Sequence, residues 1–428
     1  MSGTILDDLR WRGQLALTTD EAALEAALAA GPITFYCGFD PSAPSLHFGN
    51  LVQLVTMRRL QDAGHHAICV VGGSTGLIGD PSGKSAERVL NEVDVVADWV
   101  ERIRAQVTNL LPMEGDNPAR VVNNLDWTRD VSAITFLRDI GKHFSVARML
   151  AKEAVSARLN DEGISYTEFS YQILQAFDYL ELYRRYGTIL QTGGSDQWGN
   201  LTAGVDLIRR AEGASVHALA TPLITRADGT KYGKTEAGAL WLDPAMTSPY
   251  AFYQYFLNQA DADVGTLLRT FSFRSREEIE ALERATVEQP EQRQAQQVLA
   301  SELTALLHGD EEARRAVAAS QAIFGHGELR ELDEAALESA ATALPHVTLD
   351  GTLPPIVELL VQAGLARSRS DARRIVGEGG AYLNNVRVTE ADQVPAGEQL
   401  LHGRWLVLRR GKRNVALVEL AQVQRPTE

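Results

Sequence analysis

The sequence contains few cysteines: among its 428 residues there are only two, Cys37 and Cys69. So small a number excludes a disulfide framework and a cysteine-rich zinc site. No stretch approaches the roughly 20 apolar residues of a transmembrane helix, and the acidic N-terminal segment has no apolar core of the kind that a secretory signal needs. We therefore expect a protein of the reducing cytoplasm without a membrane span.

Basic residues are also in the minority, because 41 Lys and Arg stand against 56 Asp and Glu, for a net charge of −15. The imbalance is uneven: residues 355–428 carry a net charge of +3 and the remaining residues carry −18. Such asymmetry is typical of a chain with one polyanion-binding end, and a chance fluctuation of a solvated surface is an equal alternative. The negative charge of the whole chain argues against DNA as a partner.

The first 230 residues show the pattern of a parallel α/β sheet. Residues 33–37 and 67–71 are apolar runs that predict buried strands, and the segment from Gly49 to about Ala63 has apolar residues at helical spacing. This strand–helix–strand order indicates a parallel crossover. We predict one doubly wound parallel-sheet domain of the α/β class over residues 1–230, with further strands at 120–123, 188–192 and 221–225.

The remainder of the chain predicts three other parts. We expect a loop followed by an all-α domain over 231–324, a linker with a short helix over 325–354, and a small α+β domain over 355–428. The last part is predicted to contain helices at 355–363 and 368–377 and a hairpin that turns at Asn384 and Asn385.

The turn after the first predicted strand carries the string HFGN, which ends at Asn50 and opens a helix. The N-terminus of a helix at the carboxyl end of a parallel strand is suited to bind phosphate. Gly38 and Gly49 allow a ligand to approach the backbone, and His47 and Asn50 are close enough in sequence to face one phosphate. A lone histidine here is more often a helix cap or a core residue.

A second glycine-rich loop spans residues 72–85 and contains GLIGDPSGK. Its spacing is one residue too short for a Walker A motif, so we do not predict a P-loop NTPase. Lys84 and Arg88 remain candidates to contact phosphate.

Residues 167–186 predict a helix on which Tyr171, Gln175 and Asp178 lie along one face. Apolar residues occupy the other sides, which indicates a buried helix whose polar stripe must find partners. A polar stripe on a helix is most often an ordinary solvated face. On a buried helix, the same stripe could instead hold a small polar ligand.

Two further loops contain polar residues after predicted strands. In GGSDQWGN, Asp196 is a candidate helix cap or acceptor for a ribose hydroxyl. In DGTKYGKT, Lys231 and Lys234 are suited to a pyrophosphate that gains charge in a transition state, although two lysines in a loop are usually only surface.

Taken together, these strings resemble the class I aminoacyl-tRNA synthetases. HFGN resembles their HIGH signature and KYGKT resembles their KMSKS loop, while YCGFDPSAPSLHFGN, GLIGDPSGK, EFSYQILQAFDYL and GGSDQWGN are similar to bacterial tyrosyl-tRNA synthetases in order and spacing. The C-terminal part resembles the RNA-binding module of a small-subunit ribosomal protein, the S-four domain. The resemblance spans nearly the whole chain.

The resemblance implies a role for each matching residue. The tyrosine pocket would consist of Tyr36, Asp80, Tyr171, Gln175, Asp178 and Gln197. The residues that hold ATP would be Gly38, Asp40, Gly49, Lys84, Arg88, Gly194, Asp196 and Lys234. The residues that act on the phosphates in the reaction would be His47, Asn50, Lys231, Lys234 and Thr235. For tRNA, the basic helix near the C-terminus offers Arg367, Arg369, Arg373 and Arg374.

The resemblance also implies the partners: L-tyrosine, ATP with Mg²⁺ but no protein-built metal site, tRNA(Tyr), and a second copy of the chain in a homodimer. The sequence departs from the signatures in two places. Asn50 replaces a second histidine, and Tyr232-Gly233 replaces Met-Ser. The alternatives are a tryptophanyl-tRNA synthetase-like enzyme, a catalytically inactive RNA-binding relative, and a nucleotidyltransferase that uses the same sheet.

Overall fold

The chain folds into two compact units. The computed structural model describes residues 4–80, 91–150, 155, 163–230, 232–235 and 238–421, without the side chains of residues 234 and 235. The first unit contains Met1–Met246 and Asp261–Glu283, and the second contains Thr247–Ala260 and Arg284–Glu428. The predicted boundaries at residues 230, 324 and 354 stay a prediction. In the described part of the chain, no helix is long and apolar enough to cross a membrane.

The described helices, numbered in chain order, are α1 (Ile5–Trp11), α2 (Glu21–Ala30), α3 (Phe48–Asp62), α4 (Thr75–Ile78), α5 (Val93–Leu110), α6 (Leu125–Thr128), α7 (Ala133–Thr135), α8 (Val146–Leu150), α9 (Tyr166–Tyr186), α10 (Trp198–Glu212), α11 (Pro249–Leu257), α12 (Asp261–Phe271), α13 (Arg276–Glu288), α14 (Gln294–His308), α15 (Asp310–Ile323), α16 (Glu334–Ala341), α17 (Ile356–Gln362) and α18 (Arg369–Gly377).

The described strands are β1 (Leu17–Thr18), β2 (Thr34–Phe39), β3 (His66–Val71), β4 (Arg120–Asn123), β5 (Thr188–Gly194), β6 (His217–Thr221), β7 (Lys234–Thr235), β8 (Gly238–Ala239), β9 (His346–Asp350), β10 (Ala381–Leu383), β11 (Val386–Arg387), β12 (Trp405–Arg410) and β13 (Asn414–Ala421).

The first unit is built on a sheet with the strand order β1-β6-β5-β2-β3-β4. All neighbours are parallel except β1, which pairs antiparallel with β6. This arrangement confirms the predicted doubly wound α/β class. The strand order reverses between β2 and β5, and in such sheets the ligand crevice opens at the carboxyl ends of the strands beside that point.

Helix α9 forms one wall of this crevice, and its sequence explains its bounds. The Ser165 side chain accepts a hydrogen bond from the Glu168 N–H at the start, and Gly187 ends the helix in the left-handed conformation with φ 64°. Its apolar residues enter a core shared with β2 and β3, as Ile173, Leu180 and their neighbours are nearly fully buried. The polar stripe of α9 therefore lies in the interior.

One predicted strand is wrong in position, and one observed strand was not predicted. The strand predicted at 221–225 lies at His217–Thr221, because Pro222 has no N–H to donate to a sheet and ends the strand. Within the stretch 325–354, the short helix is present as α16, but His346–Asp350 form a strand that pairs in parallel with β13.

The second unit contains a five-stranded sheet in the order β11-β10-β12-β13-β9, with α17 and α18 packed on one face. The other face carries Trp405 and Leu417, which pack with apolar residues of α15 and α16. The predicted hairpin turn is confirmed, because Asn384 and Asn385 have φ values of 46° and 65°.

Candidate active site

A cavity of about 600 Å³ opens at the carboxyl ends of β2 and β5 in the first unit. This volume is ordinary for the binding site of a small molecule. The structure brings many of the predicted site residues together in its lining, namely Tyr36, Gly38, Asp40, His47, Gly49, Asn50, Asp80, Tyr171, Gln175, Asp178, Gly194, Asp196 and Gln197.

Asp178 lies on α9 at the buried end of this cavity, with 5% of its surface exposed. Trp127 donates its indole N–H to one carboxylate oxygen at 2.8 Å, and Asn124 donates its amide to the other at 2.9 Å. Burial raises the pKa of Asp178 to about 7, against the effect of these two hydrogen bonds. The carboxylate is thus fixed in orientation and still has lone pairs for a ligand.

Several other buried polar atoms of the lining have no hydrogen-bond partner among the described residues, including the side-chain oxygen of Gln191, and two of them belong to predicted tyrosine-pocket residues. These two are the hydroxyl of Tyr36, which is only 1% exposed, and the side-chain carbonyl oxygen of Gln175. A buried polar group without a partner is costly, and such groups point to a missing ligand or water. Tyr36 also interacts electrostatically with Asp178. The buried end of the cavity thus offers a phenol and a carboxyl group to the same ligand.

A hydrogen-bonded chain connects Asp178 with the middle of the cavity. Asn124 also donates to the Thr75 hydroxyl at 2.9 Å, and Thr75 donates to one oxygen of Asp40 at 2.6 Å. The Tyr171 hydroxyl donates to the other oxygen of Asp40 at 2.6 Å. The sequence assigned Tyr171 and Asp40 to different ligands, whereas the structure places them in contact.

At the opposite side, the HFGN string forms the N-terminus of α3. The His47 Nδ1 accepts the Gly49 N–H at 3.0 Å, and the Asn50 side-chain oxygen accepts the His47 N–H at 3.0 Å. A Cβ on Gly49 would lie 2.9 Å from the imidazole, so glycine is required for this cap. Burial lowers the pKa of His47, which favours a neutral ring with its proton on Nε2. Both His47 and Asn50 thus keep an N–H that is not used by the cap.

Glycine also shapes the middle of the cavity. A Cβ on Gly38 would meet nothing within 4 Å, so open space lies above this backbone. A Cβ on Gly194 would lie 2.5 Å from the carboxylate of Asp196. Nearby, Gln197 donates its amide to Asp80 at 2.7 Å. The alternative role of Asp196 as the N-cap of α10 is not observed, because that position is Gln197.

Several predicted residues cannot be placed. Lys84, Arg88 and Lys231 lie outside the described residues, and only the backbone is described for Lys234 and Thr235, which form β7. Their roles stay predictions.

Sequence reasoning missed the residues that support Asp178. Asn124 and Trp127 follow β4, which is the place where ligand-proximal residues are expected in a parallel sheet. Their place directly after a strand was the only signal in the sequence that could have identified them. Their hydrogen bonds to Asp178 on α9 join residues far apart in sequence, so no local pattern indicates these contacts.

The four arginines predicted to bind tRNA lie in the second unit at the surface. Arg369 pairs with Glu358 and Arg373 pairs with Asp392, both at 2.8 Å. Arg374 pairs with Asp371 and Glu378, and the backbone N–H of Arg367 donates to Asp371. These pairs are exposed, and exposed pairs are weak enough for a phosphate to displace.

Comparisons with known proteins agree with this geometry. The family described as tRNA synthetases class I (W and Y) matches residues 28–325, and a tyrosine–tRNA ligase C-terminal domain matches residues 336–418. The chain is 64% identical to the tyrosine–tRNA ligase of Streptomyces avermitilis and 62% identical to that of Streptomyces coelicolor, each over 97% of this chain and 99% of the relative. A solved structure of the truncated mitochondrial tyrosyl-tRNA synthetase of Coccidioides posadasii is 31% identical, covers 74% of this chain and 91% of its own, and has a TM-score of 0.66. By the extent of these matches, the chain belongs to the tyrosine–tRNA ligases, within the class I tRNA synthetases.

Proposed function

We propose that the protein activates L-tyrosine with ATP and transfers the tyrosyl group to the terminal ribose of tRNA(Tyr). The observation that carries this proposal is that the buried side chains of Asp178 and Tyr36 line the same cavity and interact electrostatically. Tyrosine offers a phenol to both groups. Phenylalanine and tryptophan have no hydroxyl there, so they would leave polar groups buried without partners.

The remaining contacts of tyrosine are proposed from the same wall. Tyr171 and Gln175 precede Asp178 on α9 and line the same cavity, as does the hydrogen-bonded pair of Asp80 and Gln197. An ammonium group needs acceptors, which the carbonyl of Gln175, the carboxylate of Asp80 and the hydroxyl of Tyr171 supply.

ATP is proposed to lie between the start of α3 and the turn at Gly194. The open space above Gly38 leaves room for a nucleotide, and Asp196 lies close enough to that turn to accept a ribose hydroxyl. His47 and Asn50 each direct a neutral N–H donor to the phosphates at a helix N-terminus. ATP would arrive as its magnesium complex, and Lys84, Arg88, Lys231, Lys234 and Thr235 are the further proposed phosphate contacts.

The chemistry requires no protein nucleophile. The carboxylate of tyrosine attacks the α-phosphorus of ATP, a new P–O bond forms, and pyrophosphate leaves with the electron pair of the broken bond. In the second step a ribose hydroxyl of tRNA attacks the tyrosyl carbonyl and AMP leaves. The protein contributes positioning and donors that stabilise the charge on phosphate.

The test is tyrosine-dependent exchange of pyrophosphate into ATP. We expect exchange with tyrosine, and rates near background with phenylalanine and tryptophan at equal concentration. The variant Tyr36→Phe keeps the ring and removes one phenol contact, so it should raise the KM for tyrosine and narrow the preference over phenylalanine. Equal exchange with phenylalanine in the unmodified protein would disprove the pocket assignment.

A homodimer is proposed from an exposed apolar surface of the first unit. Ile134, Leu137, Val146 and Tyr166 are large apolar residues between 52% and 72% exposed, and exposed apolar surface of this kind is typical of a protein interface. Light scattering should give a dimer for the unmodified chain and a monomer for Ile134→Glu combined with Leu137→Glu. We propose the cytoplasm as its location, because charged tRNA is used there.

The tRNA is proposed to contact the exposed arginines of α18, which lie in the part of the chain with a net charge of +3. RNA recognition relies on shape and on backbone contacts, for which a small basic module is sufficient. Lys412 and Arg413, at the exposed turn between β12 and β13, have no ion-pair partner among the described residues and extend this basic surface.

A further inference from the structure

The two signature strings HFGN and KYGKT are joined through their backbones. The Phe48 N–H donates to the Leu240 carbonyl at 2.8 Å, and the Leu242 N–H donates to the Leu46 carbonyl at 2.9 Å. The Leu240 N–H in turn donates to the carbonyl of Gly233 at 2.8 Å. Residues 240–242 therefore bridge the start of α3 and the glycine of the lysine-bearing segment.

An aromatic contact joins the same two strings. The rings of Phe48 and Tyr232 meet edge to face with centroids 6.1 Å apart and an interplanar angle of 65°. They are 1% and 9% exposed, respectively. Gly233 has φ +81°, and a Cβ there would lie 3.3 Å from the Cβ of Phe48. The Tyr-Gly pair that departs from the family signature thus fits closely against the Phe that fills the second position of HFGN.

Phe48 is the first residue of α3 and directly follows His47. The Phe271 ring of α12 supports it from another direction with centroids 4.8 Å apart. Any shift of Phe48 moves the backbone that carries His47 and Asn50, since the cap hydrogen bonds span residues 47–50. The geometry of the phosphate donors is therefore tied to the packing of Tyr232.

We propose that Phe48 and Tyr232 are a positioning pair that holds the backbone of residues 232–235 in register with the proposed phosphate donors at the start of α3. The inference rests on the proposed activation of tyrosine. Neither ring belongs to the group around Asp178, so the pair acts on the reaction of bound ATP and not on the affinity for tyrosine. Misalignment of groups that stabilise a transition state lowers the rate with little effect on substrate binding.

The experiment is a double-mutant cycle with Phe48→Leu and Tyr232→Leu in the full-length protein. The readouts are the kcat of pyrophosphate exchange and the dissociation constant of tyrosine from equilibrium dialysis. We expect each single variant to lose about tenfold or more in kcat, with tyrosine affinity within about twofold of the unmodified protein. Because the two rings act as one contact, the double variant should be no slower than the slower single variant.

Two controls separate positioning from a loss of stability. Tyr232→Phe retains the ring and should keep nearly the full rate. Phe252→Leu removes a ring from an equally buried pair in the second unit, with Phe256 at 5.0 Å, and should leave kcat unchanged below its unfolding temperature.

Four results would overturn the inference: losses that multiply in the double variant, a Tyr232→Phe protein as slow as Tyr232→Leu, tyrosine affinity that falls in parallel with the rate, or an equal slowing by Phe252→Leu. If the unmodified protein shows no exchange at all, the proposed function fails instead, and the two failures are thereby distinguished.

Discussion

Asp178 shows how much depends on one residue of this cavity. An isolated carboxylate in the interior would take up a proton, and burial does raise the pKa of Asp178 to about 7. The donors Trp127 and Asn124 oppose that shift and hold both oxygens in place. The burial of Asp178, which we propose serves to recognise a phenol, therefore has a cost in folding stability that depends on pH.

We predict that the stability of the unmodified protein depends on pH in a way that Asp178→Asn, which lacks the titrating carboxyl group, does not. The pKa of the group in the folded protein is above its ordinary value of 3.8, so the folded state binds the proton more tightly and stability falls as pH rises from about 4 to about 7. The free energy of unfolding of the unmodified protein, relative to Asp178→Asn, should fall by up to about 1.4 kcal/mol per pH unit in this range and level off above it. Urea unfolding in a pH series measures the difference, and a constant difference would contradict the raised pKa.

Among the helices, α3 has a side-chain cap at the end where we also propose that phosphate binds. His47 caps the helix through Nδ1, and its other ring nitrogen lies free to donate to phosphate. The capping interaction with Asn50 fixes both side chains. The departure from a second histidine at residue 50 is therefore compatible with the site, since an amide supplies the acceptor for the cap and still has an N–H donor.

Two variants of His47 distinguish its contribution to helix capping from its proposed contribution to the reaction. His47→Asn retains a capping side chain and should keep the stability of the unmodified protein, whereas His47→Ala should lose about 1 kcal/mol. Both should lose about 2–4 kcal/mol of transition-state stabilisation in tyrosine-dependent exchange, because neither carries the imidazole N–H. Thermal unfolding and kcat/KM check the two effects. If His47→Asn restored the rate as well as the stability, the imidazole would be only a cap.

At the scale of the whole molecule, positive and negative charge are unevenly distributed along the chain, with a net charge of +3 over residues 355–428 and −18 over the rest. The acidic majority discourages non-specific contact with RNA, and the last 74 residues carry the small positive excess. The apolar contacts of Trp405 and Leu417 with α15 and α16 mean that this basic part shares a core with its neighbours. Removal of residues beyond Gly351 would expose that core, so point variants are the better test of tRNA binding.

Arg373→Gln should weaken the charging of tRNA and leave tyrosine-dependent exchange unchanged. The slope of log affinity against log salt should decrease by about 1 for each phosphate that the variant no longer binds. Arg102→Gln is a matched control, because Arg102 and Arg373 are both 53% exposed and both have a carboxylate at 2.8 Å. An equal reduction of charging in the two variants would mean that the effect is one of general surface charge.

The sequence predicted best the features that depend on local pattern. The stripe of α9 was recognisable because Tyr171, Gln175 and Asp178 repeat at helical spacing, and the hairpin at Asn384 because its residues tolerate positive φ. Strand β9 was not predicted, because it is an edge strand with a half-buried pattern. Trp127 and Asn124 were not predicted, because no local pattern reveals a contact with a helix some 50 residues later.

The first unit is discontinuous in sequence, because Thr247–Ala260 of the second unit precede its last segment, Asp261–Glu283. This order affects when the first unit can fold during synthesis. Arg12 and Arg59 are buried, and their guanidinium groups donate to backbone carbonyls of Arg269, Thr270 and Ser272. On the ribosome these arginines emerge long before the carbonyls that accept their hydrogen bonds. Arg12 also pairs with Asp8, whereas Arg59 has no ion pair among the described residues, and a buried charge without a partner is strongly unfavourable. The first unit therefore completes its folding only after the segment Asp261–Glu283 has followed Thr247–Ala260 out of the exit tunnel. A nascent chain released before that point contains the described cavity residues but lacks the backbone carbonyls that accept hydrogen bonds from Arg12 and Arg59.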